Sequence, residues 1–217
     1  MDNIKVNISQ NDIDYISNKV KDYLSDRRYI HTISVADEAQ ALGTIFIPER
    51  INELKVAALL HDVTKNLTDD AQLKYCNDFG IILDDYQICS PDVLHAITGA
   101  DFAKRNFTGY VNDEIISAIR FHTTGHDRMT LFEAIIYLAD YIEKTRKHDS
   151  CRMLRQYFYE HIEKASDKLE ILYKTMIMSF DFTVRYLADN QKYIDSDTIL
   201  ARNWFIYLLN QSNLHDR

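Results

Sequence analysis

The pair His61-Asp62 closes the apolar run Val56-Ala57-Ala58-Leu59-Leu60, and the single residues His31, His95, His122 and Asp140 are spread around it. An adjacent histidine and aspartate supply a nitrogen and a carboxylate to metal from one helical turn, and the second carboxylate oxygen is free to bridge another ion. Taken singly, a helix histidine beside apolar residues is more often a hydrogen-bonded core or boundary residue. Projected from several helices into one pocket, the set carries more, because an unpaired Asp62 or Asp140 inside a bundle is costly without a cation. A two-metal hydrolase is the first expectation.

Helices must position such a set, and the periodicity provides them. Ile13, Ile16, Val20, Tyr23 and Leu24, then Ile33, Val35, Ala39 and Leu42, recur at short helical steps around a break near Asp26-Arg27-Arg28, which predicts two helices over about 11–42. His31, Val35 and Ala39 are spaced by one turn, so His31 shares a side with core residues. Pro48 suits the entry of a helix over about 49–61 that delivers His61-Asp62 at its end. Thr68 caps the next, with Asp69 and Asp70 in its first turn and Gly80 as its stop. Ser90-Pro91-Asp92 opens another, with His95 one turn in. Asn112 caps a helix that reaches His122 and ends before Thr123-Thr124-Gly125. Thr130 and Glu133 have the spacing of a capping box, which puts Asp140 late in the helix that follows. Two more helices are expected over about 166–187 and 198–209.

Composition agrees with an all-α chain. Of 217 residues only 5 are Gly and 2 Pro, too few to punctuate a many-stranded β fold. Hydrophobic residues at 46% and charged residues at 27% are ordinary for a globular protein, and the length suits one domain over 1–217. The net charge of −8 and the lack of a Lys/Arg run argue against nucleic acid as a partner. Cys76, Cys89 and Cys151 form neither a disulfide framework nor a zinc ribbon, which points to the reducing cytoplasm. Met1-Asp2-Asn3-Ile4-Lys5 lacks the basic flank and apolar stretch of a signal peptide, and no run approaches the ~18 apolar residues that cross a bilayer, so no membrane partner is expected.

The order His31, His61-Asp62, His95, His122, Asp140 resembles the H…HD…H…H…D pattern of the HD-domain metal-dependent phosphohydrolase superfamily. The surrounding segments sharpen the likeness. Arg28-Tyr29-Ile30-His31-Thr32, Ala57-Ala58-Leu59-Leu60-His61-Asp62-Val63-Thr64-Lys65, Leu94-His95-Ala96-Ile97-Thr98-Gly99-Ala100, Ala118-Ile119-Arg120-Phe121-His122-Thr123-Thr124-Gly125 and Tyr137-Leu138-Ala139-Asp140-Tyr141-Ile142-Glu143 are similar to the bacterial YqeK-type family. That family contains symmetrical diadenosine tetraphosphate hydrolases, which yield two ADP. The likeness runs from about Arg27 to Leu209, with a motif core over about 27–145 and C-terminal helices over about 165–210. His126 stands where the family pattern has an arginine, and Lys144 where it has a proline.

The resemblance implies an HD-type helical bundle with a buried dinuclear metal site. His31, His61, Asp62 and Asp140 would hold one metal, and Asp62 would bridge to a second held by His95 and His122. The implied metal is iron, with manganese or another divalent ion as the alternative. Two metals roughly 3.5–4 Å apart can share a nucleophilic hydroxide and clamp a phosphate oxygen.

Lys65, three residues after Asp62, can face the same pocket and neutralise charge building on the phosphate. Arg27 and Arg28 can lie at its mouth, Arg28 being the better candidate for a bidentate phosphate contact. Thr123, Thr124, Gly125 and His126 can offer further donors to a phosphate, or serve only as helix-end chemistry. Of Tyr173, Phe180, Phe182, Tyr186, Trp204, Phe205 and Tyr207, most belong to the core by their helical spacing, with one or two left to stack on a base. His148, His161 and His215 read as surface residues. The expected partner is a small nucleotide, and a homodimer is compatible with the reading. Competing readings are an HD phosphohydrolase acting on another nucleoside mono- or polyphosphate, and a metal- or nucleotide-binding sensor.

Overall fold

The computed structural model describes residues 6–215, with side chains described to residue 212, so Met1-Asp2-Asn3-Ile4-Lys5 and the side chain of His215 lie outside the described residues. Among those residues the regular structure is helical: α1 (Gln10–Val20), α2 (Asp26–Phe46), a 3-10 turn (Pro48–Arg50), α3 (Ile51–Leu60), α4 (Asp69–Asp78), α5 (Asp85–Ile88), α6 (Pro91–Asn106), α7 (Asp113–Phe121), α8 (Leu131–Ile142), α9 (Asp149–Ile162), α10 (Lys168–Asp189) and α11 (Ser196–His215). None of the described helices is long and apolar enough to cross a membrane.

Side-chain caps set the helix starts. Thr130 accepts from the Glu133 backbone while Glu133 reaches back to the Thr130 N–H, so the capping box opens α8 where the sequence predicts it. Ser25, Thr68 and Asn112 cap α2, α4 and α7 from one side only, each side chain accepting from a first-turn backbone N–H. Pro48 opens a 3-10 turn rather than the α-helix itself, and α3 stops at Leu60, which leaves His61 and Asp62 in the turn just beyond it. The sequence reading misses α5 and α9.

α3 is apolar on nearly every side. Leu54, Val56, Ala57, Ala58, Leu59 and Leu60 are all buried, and α1, α2, α7 and α8 pack around them. Gly43 lets α2 approach α3, since a Cβ there would meet Leu54 Cδ1 at 2.5 Å. The same core continues to the C-terminal helices: Phe180 of α10 packs on Tyr137 of α8 with ring centroids 4.6 Å apart and stacks with Phe205 of α11. His61 and Asp62 are therefore hung on a helix packed on most of its sides.

Candidate metal centre and active site

Five elements converge on one buried point. His31 comes from α2, His61 and Asp62 from the turn after α3, His95 from α6, His122 from the end of α7 and Asp140 from the last turn of α8. His61 is wholly buried, and His31, Asp62, His95 and His122 are buried with it. Asp62 stands at the centre and divides the set. Its Oδ2 lies 3.7 Å from His31 Nε2 and 3.4 Å from His61 Nε2. Its Oδ1 lies 3.2 Å from His95 Nε2 and 3.7 Å from His122 Nε2. Asp140 Oδ1 adds to the first group, 3.0 Å from His31 Nε2 and 3.8 Å from His61 Nε2.

The imidazole tautomers follow from the opposite ring nitrogens. His61 Nδ1 is 2.6 Å from the Ala58 carbonyl and His122 Nδ1 is 2.7 Å from the Ile119 carbonyl. A carbonyl only accepts, so Nδ1 carries the proton in both rings and Nε2 presents a lone pair. His31 Nδ1 is held in the same manner, 3.0 Å from the wholly buried carboxylate of Glu143. The Nε2 atoms of His31 and His61 are buried without a hydrogen-bond partner. Buried ring nitrogens left without a hydrogen-bond partner and facing two carboxylates fit a divalent cation, and His31, His61, Asp140 and His61, Asp62, His122 each bring ligand atoms close enough to hold one. His95 differs. Its Nδ1 is 3.1 Å from Lys65 Nζ, an ammonium that only donates, so the ring proton sits on Nε2, facing Asp62.

Charge balances locally. Burial works against ionised Asp140, but Arg146 and His31 hold its carboxyl well below the usual range. Asp62 is held low against burial by His61, His122 and His95. Burial also disfavours a charged His31, yet Asp140 and Glu143 on its two sides raise it to about 9, whereas burial pushes His95 down to about 4.

The centre opens into a cavity of about 870 Å³. Arg28 and Lys65 line it, as do Thr123 and Thr124. Arg28 Nη1 donates to Asp62 Oδ2 at 2.7 Å. Three expected substrate contacts are placed elsewhere. Arg27 is exposed on the outer side of α2 and is not part of the lining. Gly125 takes φ +67° and packs against Ala201 and Phe180, so its role is to turn the chain. His126 stacks on Phe121 and turns its Nε2 to Glu133 at 3.0 Å, away from the cavity. His148 is exposed on the cavity lining, and His161 is exposed, bonded to the Tyr157 carbonyl. Among the aromatic residues Phe180 and Phe205 are core, while Phe182 and Tyr186 line the cavity.

Three residues of the site escape sequence reasoning. Glu143 orients His31, although it stands inside one of the quoted segments. Arg146 donates to Asp140 Oδ1 at 2.5 Å and lines the cavity. Arg155 of α9 donates to the carbonyls of Ile142, Glu143 and Arg146 and so fastens the loop that carries the other two. Their signal was proximity to Asp140 in sequence, which alone says nothing of direction.

An HD domain family model matches residues 28–145. The symmetrical bis(5'-nucleosyl)-tetraphosphatase of Bacillus subtilis is 30% identical over 189 residues, covering 86% of this chain and 94% of that protein. The protein of the same name from Staphylococcus aureus is 28% identical, covering 86% and 91%. A crystal structure from Clostridium acetobutylicum, described as a predicted HD superfamily hydrolase involved in NAD metabolism, superposes with a TM-score of 0.76 at 33% identity, over 89% of this chain and 96% of that one. With its histidines and acids converging as described, the chain belongs to the HD domain family and, within it, stands with the symmetrical bis(5'-nucleosyl)-tetraphosphatases.

Proposed function

We propose that this protein is a metal-dependent phosphohydrolase that cleaves diadenosine tetraphosphate symmetrically to two ADP, as the names of its curated relatives describe for them. The observation that carries the metal-dependent chemistry is Asp62, each of whose oxygens faces a different pair of imidazoles. In this reading His31, His61 and Asp140 hold one cation, His95 and His122 hold a second, and Asp62 bridges. An imidazole-rich set with two carboxylates suits iron, with manganese as the alternative. Cations bound there would polarise a phosphoryl oxygen and make water a usable nucleophile near neutral pH.

The protein's own side chains do the rest. Arg28 and Lys65 bring positive charge to the cavity beside Asp62 and His95, where a polyphosphate concentrates its negative charge. Thr123 brings its hydroxyl to the same cavity, 3.4 Å from His95 Nε2, while the Thr124 hydroxyl donates to the Gly125 carbonyl. Burial lowers the Lys65 pKa, an effect that Arg28 reinforces and Asp62 opposes. In this reading Phe182 and Tyr186 give the nucleoside an apolar wall. We read residues 1–217 as one domain, because α10 and α11 complete the cavity wall and share the core with α8. Three free cysteines and a nucleotide substrate accord with a cytoplasmic setting.

The test is product analysis with metal-loaded protein. ADP as sole product is expected, AMP with ATP would overturn symmetrical cleavage, and no turnover at full metal content would restore the sensor reading. Elemental analysis of the same preparation is expected to find iron, and light scattering to read whether it is a homodimer.

A further inference from the structure

Arg146 makes two contacts with one residue: Nε donates to the Asp140 carbonyl at 3.0 Å and Nη2 to Asp140 Oδ1 at 2.5 Å. That Oδ1 is the oxygen faced by the Nε2 atoms of His31 and His61. A cation held by those imidazoles and Asp140, and the guanidinium, therefore compete for the same atom. With neither present, the Asp140 carboxylate would keep only His31 beside it as a direct counter-charge.

The backbone under Arg146 is built to stay put. Arg155 donates to the carbonyls of Ile142, Glu143 and Arg146, and Glu143 accepts from both the backbone N–H and the hydroxyl of Thr145. The side chain itself is one-third exposed and lines the cavity alongside Arg28 and Lys65. A long side chain on a fixed loop can change partner without the loop moving.

We propose that Arg146 is an exchangeable counter-charge, holding Asp140 while no cation is bound and giving its guanidinium to the substrate's polyphosphate once a cation takes that carboxylate. This rests on the metal-dependent reading above and adds a phosphate-binding residue to it. A residue that merely orients Asp140 would behave in the opposite way toward metal, because its loss would weaken cation binding rather than strengthen it.

The experiment titrates metal-free, full-length protein with manganese(II) by calorimetry, then titrates the loaded protein with ADP. Arg146→Gln keeps a donor for Asp140 and drops the charge. It is expected to bind the first manganese(II) about tenfold tighter, the size of effect that one adjacent charge has on a carboxylate's affinity for a proton. On the loaded protein it is expected to bind ADP at least about tenfold more weakly. Arg146→Lys, which keeps the charge, should bind manganese(II) as the parent does. Weaker manganese(II) binding by Arg146→Gln would make Arg146 an orienting residue, and unchanged ADP binding would remove its phosphate contact; either overturns the proposal. A parent protein that takes up no manganese(II) or iron(II) would instead overturn the metal-dependent reading on which the proposal stands. If Arg146→Gln does not hold its fold without metal, Arg146→Ala folded in the presence of manganese(II) decides the question through the ADP titration.

Discussion

The two groups of imidazoles around Asp62 are built differently. In the group that includes Asp140, both ring nitrogens facing away from the centre are fixed, His61 by a main-chain carbonyl and His31 by the buried acid Glu143. In the other group only His122 is fixed by a carbonyl, and His95 leans on the tip of a lysine. A locked ring has its Nε2 aimed before metal arrives, whereas His95 must move its proton from Nε2 to Nδ1 and part from Lys65. In the dinuclear reading proposed above, the difference predicts an ordered centre, with the Asp140 side filling first and the His95 side coupled to Lys65.

The sharpest way to break this comparison is to remove what the groups share. Asp62→Ala is expected to lose both cations and on the order of a thousandfold in kcat, while His122→Ala keeps the cation beside Asp140. Full metal content in Asp62→Ala by elemental analysis would show that the carboxylate does not bridge. A smaller effect is expected at the lysine. Lys65→Met frees His95 Nδ1, so metal content should stay at or above that of the parent while kcat falls about a hundredfold through the lost phosphate contact. An unchanged kcat with normal metal content would return Lys65 to a structural part.

The smallest effect belongs to the histidine outside both groups. His126 is disfavoured as a cation by burial, yet its bond to Glu133, with the charges of Glu133 and Asp197, raises its pKa, and Glu133 is lowered against burial chiefly by His126 and Ser117. The raised histidine contributes stability that is complete below its unfolded value near 6.5 and fades as pH rises through its native value; the lowered Glu133 contributes above about 4.5 and fades as pH falls. The pair should therefore stabilise most between about pH 4.5 and 6.5, by about 1 kcal/mol. Thermal melts of His126→Ala should lie below those of the parent in that window, converge with them toward pH 8, and leave metal content unchanged. Loss of metal in His126→Ala would blur the boundary between the centre and its surroundings.

Much of the centre was legible because its ligands sit at helix ends marked by local chemistry. Caps at Asn112 and Thr130 set the phase of α7 and α8, and phase decides which side of a helix His122 and Asp140 occupy; His31 was placed by its one-turn spacing from Val35 and Ala39. Lys65 and Arg28 fell close to the bridging acid in sequence or in motif. What was missed depends on long-range direction: Glu143 meets His31 across 112 positions, and Arg146 follows the end of α8, where periodicity stops giving orientation. α9 carried its signal in Cys151, Leu154, Phe158 and Ile162, all buried, but polar residues crowd the positions between them. For His126 the sequence offered either a phosphate contact or helix-end chemistry, and the positive φ of Gly125 just before it turns the chain so that His126 is not part of the cavity lining.

The fastening by Arg155 bears on how portable this machinery is. The stretch that matches the family, residues 28–145, carries every candidate ligand but excludes Arg146 and Arg155. Cut there, the last carbonyls of α8 would lose the guanidinium that collects them, and Glu143 would hang from a fraying helix end with His31 attached to it. The smallest piece that could be grafted elsewhere with its geometry intact thus reaches through α9, past the stretch that carries the candidate ligands.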